Sequence, residues 1–102
     1  MSIEAEQREA KAKTTVEVKA RYQPSTATFE KEYPRPTTLA PVKADVMTFF
    51  HVAERTEGRK VYTYHLFFEG QPRDDLNTTL ATIAGEHRAE IEFQLVEQIV
   101  ES

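Results

Sequence analysis

One stretch constrains this chain more than any other: Leu39 to Ala53, LAPVKADVMTFFHVA. Its apolar residues Leu39, Val42, Val46, Phe49, Phe50 and Ala53 recur at steps of three and four, which puts them on one stripe of a helix. Lys43, Asp45 and Thr48 fall between them. Thr37 and Thr38 offer N-cap oxygens, and Pro41 suits a first turn, where its missing N–H costs nothing. The segments on either side read as strands, so one helix has to cover a sheet.

The strands show in the period of two. Val16, Val18, Ala20 and Tyr22 share one side of the first, opposite Glu17, Lys19 and Arg21. Gln23-Pro24-Ser25 breaks it. A second strand, about Thr26 to Tyr33, puts Ala27, Phe29 and Tyr33 on one side, with Lys31 out of character in the same row. The pair reads as an antiparallel hairpin closed by Pro34 and Pro36. After the helix, Glu54 to Lys60 reads as a polar connection in which Gly58 ends the helix. A strong strand follows, Val61 to Phe68, with Tyr62, Tyr64, Leu66 and Phe68 alternating with Val61, Thr63, His65 and Phe67. Glu69 to Pro72 is turn chemistry. Leu76, Leu80 and Ile83 are anchors in a polar segment expected to hold a short strand or turn and then one helical or 3₁₀ turn. The last strand, about Ala89 to Val96, points Ile91, Phe93 and Leu95 inward. The expected class is α+β, one helix on one face of a mixed sheet of four to five strands.

A length of 102 residues allows one domain. Residues 1–13 lack an apolar face and are expected to form a flexible tail. The domain is expected over 14–97, with a frayed end over 98–102. The absence of cysteine removes disulfides, a thiol nucleophile and Cys-based metal sites. A net charge of −4 argues against a nucleic-acid partner. No apolar run nears the roughly 18 residues needed to span a bilayer, and the charged start, MSIEAEQREAKAK, is no secretory signal. A cytoplasmic protein without a membrane partner is expected.

The order strand, strand, helix, strand, short irregular piece, strand resembles the β-grasp fold, and within it the ubiquitin-like family. Three pieces carry the resemblance: the hairpin TTVEVKARYQPSTATFEKEYP, the helix entry PTTLAPVKADV, and HLFFEGQPRDDLNTTLATIAG as third strand, glycine turn and short following element. The resemblance implies that Leu39, Val42, Val46, Leu66 and Phe68 point inward, Gly70 sits at the turn, and Leu80 and Ile83 lie under a closing loop. Conjugated and sulfur-carrying relatives end in Gly-Gly, a tail thin enough to thread an activating enzyme. This sequence has no glycine after Gly85, so neither conjugation nor sulfur transfer is expected of it.

No residue presents itself for catalysis, cofactor or metal. His51, His65 and His87 lack ligand spacing, and Asp74-Asp75 with Glu69 reads as a solvated acidic turn rather than an acid–base pair. Ser2, Ser25 and Ser102 stand in tails or a turn, and the glycines form no phosphate loop. Phe67 is different. Alternation turns it away from Leu66 and Phe68, onto the open face of the sheet, where the resemblance implies an apolar patch that partners recognise. Val61 and His65 flank it on the same strand, and Gln94 joins from the last strand, at a position where the family often carries an aliphatic. A rigid exposed aromatic is a good anchor. The expected function is a non-catalytic module binding a protein partner through Phe67, His65, Val61 and Gln94, with self-association or cover by a terminal tail as other ways to bury Phe67. Two further readings stay open: a structural accessory subunit of a multicomponent enzyme, and a modifier whose Gly-Gly tail is absent from this chain.

Overall fold

The computed structural model describes residues 14–101; the expected N-terminal tail and Ser102 lie outside the described residues. Strands β1 (Thr15–Tyr22) and β2 (Thr28–Pro34) form the expected antiparallel hairpin, in register from Thr15↔Pro34 to Arg21↔Thr28. Helix α1 (Leu39–Phe49) follows, then β3 (Arg55–Glu57), β4 (Lys60–Phe68), β5 (Gln71–Pro72), the short helix α2 (Leu80–Ala84) and β6 (Glu90–Glu101). The sheet runs β2-β1-β6-β4-β3, with β5 on β4. β1 and β6 are parallel, from Glu17↔Glu90 to Tyr22↔Leu95, and the other pairs are antiparallel. A central parallel pair needs a long crossover, and the whole chain between β1 and β6 serves as one.

Between α1 and this sheet lies the core. Val16, Val18 and Ala20 meet Ile91, Phe93 and Leu95 across the parallel pair, with Tyr64, Leu66 and Phe68 beyond and Leu39, Val42 and Val46 above. Leu80 and Ala84 of α2 close one end. Each large side chain here contributes about 1.5–3 kcal/mol by leaving water. Lys31, out of character in the inward row of β2, lies where that row emerges beside α1. Its Nζ is 3.1 Å from Asp45 Oδ2.

Several expectations need correction. The N-cap is Thr38, but its hydroxyl caps nothing; the first-turn donors Leu39 N and Ala40 N bond instead to the carbonyls of Thr78 and Leu76, and Pro41 has no donor to satisfy. The helix stops at Phe49 rather than Ala53, and Gly58 does not end it. His51 takes a left-handed φ of 58°, with its amide on Thr48 O and the next amide, Val52 N, on Met47 O. This is a Schellman cap, and Val52 and Met47 both pack on the core behind it. Phe49, the last helical residue, is 42% exposed, and Ala53, beyond the cap, is exposed. Gly58 instead turns the β3–β4 hairpin at φ 61°. Hence the polar connection contains a strand, and the strands number six, not four to five. Ala27, given to the inward row of β2, is exposed and precedes the strand. Finally, residues 98–101 are not frayed: β6 runs to Glu101, paired with β4 as far as Lys60↔Glu101. Among the described residues, no helix is long and apolar enough to cross a membrane.

Candidate functional site

Both helices bury their apolar residues in one core on one side of the sheet, which leaves the opposite side open. Alternation places Val61, Thr63, His65 and Phe67 of β4 on it, beside Gln94, Val96, Gln98 and Val100 of β6. Phe67 lies between Pro72 of β5 and Gln94 of β6, directly opposite each, and is half-buried. A shallow depression runs from Ser25 and Thr26 in the β1–β2 turn, past Glu92 and Gln94, to Phe67 and Gly70. Phe67 lines it together with Tyr22, Ala27 and Phe93.

Of the four residues singled out in the sequence, Phe67 and Gln94 are therefore cross-strand neighbours. His65 stands one step along, opposite Val96. Val61 does not join them: six positions from Phe67, it is about 20 Å away and pairs with Val100. Val96 and Val100 were not singled out: Val96 stood at the expected end of the last strand, and no strand was expected at Val100. The signal was present, since Gln94, Val96, Gln98 and Val100 continue the same alternation.

His65 is less isolated than its sequence spacing suggested. Its Nδ1 is 2.7 Å from Asp74 Oδ1 and its Nε2 is 3.0 Å from Thr63 Oγ1. Hydroxyl, imidazole and carboxylate in this order are the parts of a nucleophile relay. Such a relay also needs amide donors beside the hydroxyl to hold an oxyanion. Here Thr63 is paired with Gln98 in the ladder, and the next amide, Tyr64 N, donates to Glu54 Oε2 at 3.1 Å. The triplet's hydrogen bonds brace the segment after β5 against β4. The other acidic residues of that region are also engaged: Asp75 Oδ1 accepts from Asn77 N, and Glu69 pairs with Arg88 at 3.2 Å. No group of three or more His, Asp or Glu among the described residues could hold a metal ion.

The half of this face around β1 is charged. Lys19 sits 3.4 Å from Glu90 and 3.8 Å from Glu17, and Arg21 is 3.0 Å from Glu92. Glu90, by hydrogen bond and charge, raises the Lys19 pKa above its ordinary value. These exposed pairs add little stability, and they divide the open face into a charged half and an apolar one.

No family model matches the sequence, and no curated protein matches it. Solved structures do. Caldiarchaeum subterraneum ubiquitin is similar with a TM-score of 0.63 at 16% identity, over 86% of this chain and 99% of that one. An Arabidopsis thaliana protein gives 0.60 at 13% identity, over 86% of this chain and 92% of that one. A chain from work on molecular mimicry of SUMO in DNA repair gives 0.56 at 14%, over 81% and 91%. Identities this low speak for architecture alone. With one helix lying across a mixed sheet built around a parallel β1–β6 pair, the chain has the ubiquitin-like β-grasp fold.

Proposed function

We propose that this chain is a non-catalytic, cytoplasmic protein-interaction module that grips a protein partner on the open face of its sheet, with Phe67 as the anchor and Gln94 and His65 beside it. The observation carrying this reading is the position of Phe67. It projects from a rigid, doubly paired strand onto the side that neither helix covers. A ring held there loses little freedom on binding, and burying its exposed part adds affinity at low entropic cost. The His65–Asp74 brace fixes the neighbouring imidazole, so the surface is preorganised. Val96 widens the apolar area toward β6.

A photo-crosslinking residue in place of Gln94 tests this. It should capture one defined protein. Excess wild-type chain should displace that protein, and excess Phe67→Ser chain should fail to do so. Equal displacement by both would overturn the assignment of Phe67.

A further inference from the structure

Arg73 is a cation for which the fold supplies no anion. It follows β5, its amide donates to Leu66 O at 2.8 Å, and its guanidinium carbon stands 5.7 Å from the centroid of the Phe68 ring. The side chain is half-buried, and its Nε is shielded from water without a hydrogen-bond partner. Among the described residues the guanidinium makes no ion pair and no hydrogen bond. Acids stand close in sequence, yet each is engaged elsewhere. Glu69 pairs with Arg88 at 3.2 Å, Asp74 with His65 at 2.7 Å, and Asp75 accepts from the amide of Asn77. Buried donors nearly always find an acceptor, and a half-buried charge left unpaired destabilises the fold.

A second guanidinium meets the same ring. Arg88 Cζ is 5.4 Å from the Phe68 centroid. The backbone that carries it is braced, since Arg35 donates to the carbonyls of Arg88 and Gly85. Arg88 and Glu69 are both exposed, and exposed pairs of this kind are weak. The Arg88 head, on its long stem, can therefore turn from Glu69 to a ligand beside Arg73. Phe68 belongs to the core and points the opposite way from Phe67, so these two arginines stand apart from the open face of the sheet.

We propose that Arg73 and Arg88 form a binding site for a phosphate group beside the Phe68 ring. The sign of the ligand follows from the unpaired guanidinium. Its size follows from there being two. A carboxylate matches the fork of one guanidinium, whereas a phosphate group carries about two negative charges and three acceptor oxygens, enough for both. Free phosphate and a phosphate monoester present the same oxygens, and the experiment separates them. The site does not depend on Phe67 binding a protein.

Shielding slows exchange with water, so the Arg73 Nε–H should give a signal in nitrogen-edited NMR spectra of the full chain near neutral pH. At constant ionic strength, inorganic phosphate should shift the Arg73 and Arg88 Nε–H signals along one saturable curve. Arg73→Gln and Arg88→Gln should each weaken the affinity about tenfold or more, as expected for the loss of a charge-assisted contact. Arg88 is exposed, so its variant should keep the backbone amide spectrum of the parent and decides the matter even if Arg73→Gln folds poorly. Lys60→Gln, at the exposed start of β4, should bind phosphate as the parent does. Tighter binding of O-phosphoserine than of inorganic phosphate assigns the site to a monoester, and the reverse order assigns it to the free ion. No saturable shift, an equal response to acetate, or equal weakening by Lys60→Gln overturns the proposal.

Discussion

The Tyr33 hydroxyl donates to Asp45 Oδ2 at 2.6 Å and so ties β2 to α1. That hydrogen bond, with Lys31 behind it, holds the Asp45 carboxyl below its ordinary 3.8 against the opposing effect of desolvation. Burial first, and then the bond to Asp45, pushes the Tyr33 phenol above its ordinary 10.0. A carboxyl with a lowered folded pKa stabilises the fold above its unfolded value and loses that contribution as the pH falls through the folded one. A phenol with a raised folded pKa stabilises below its unfolded value and loses the contribution as the pH rises past it. Tyr33→Phe should therefore cost about 1 kcal/mol near neutrality. It should also flatten the stability profile below about pH 4 and above about pH 10, measured by urea unfolding across pH. Some acid sensitivity should persist, because Glu54 is also lowered, chiefly by the Tyr64 amide and then by Lys43.

Leu80 is fully buried and sits just past the loop whose carbonyls receive the first amides of α1. Leu80→Ala should destabilise by about 2–5 kcal/mol. Because that loop substitutes for a side-chain cap, the Leu39 and Ala40 amides should lose hydrogen-exchange protection ahead of the rest of the helix.

Phe67 is half-buried and stands outside the core cluster. Phe67→Ser should cost only about 1 kcal/mol, roughly half of a full burial. Phe93→Ala, at a ring that is 1% exposed, should cost about 3–5 kcal/mol. Thermal unfolding of the two variants checks the contrast. A Phe67 variant as damaged as the Phe93 variant would place that ring in the core.

Gly58 has open space where a Cβ would stand, so Gly58→Ala is opposed only by its φ of 61°. The expected loss is about 1–2 kcal/mol. It should be confined to the hairpin, read as lower amide protection at Arg55 to Glu57 with β4–β6 protection unchanged.

Much of this architecture was legible in the residue order. The three-and-four spacing of Leu39, Val42 and Val46 placed the helix, and the alternation around Val18, Leu66 and Phe93 placed three central strands. The same alternation turned Phe67 away from the core. Such periods record which way a side chain points relative to its own segment, and that information is local. The rest depended on what lies across from a segment. The amide of Leu39 finds Thr78, the imidazole of His65 finds Asp74, and β4 holds β6 in extended form to Glu101. Helix α1 ended early because His51 and Val52 closed a backbone cap on Thr48 and Met47, which outweighed one more turn of apolar spacing. Sequence alone determined the faces. Tertiary structure decided the ends of the elements and the partners across them, because a terminal backbone group takes whichever acceptor the completed fold brings within reach.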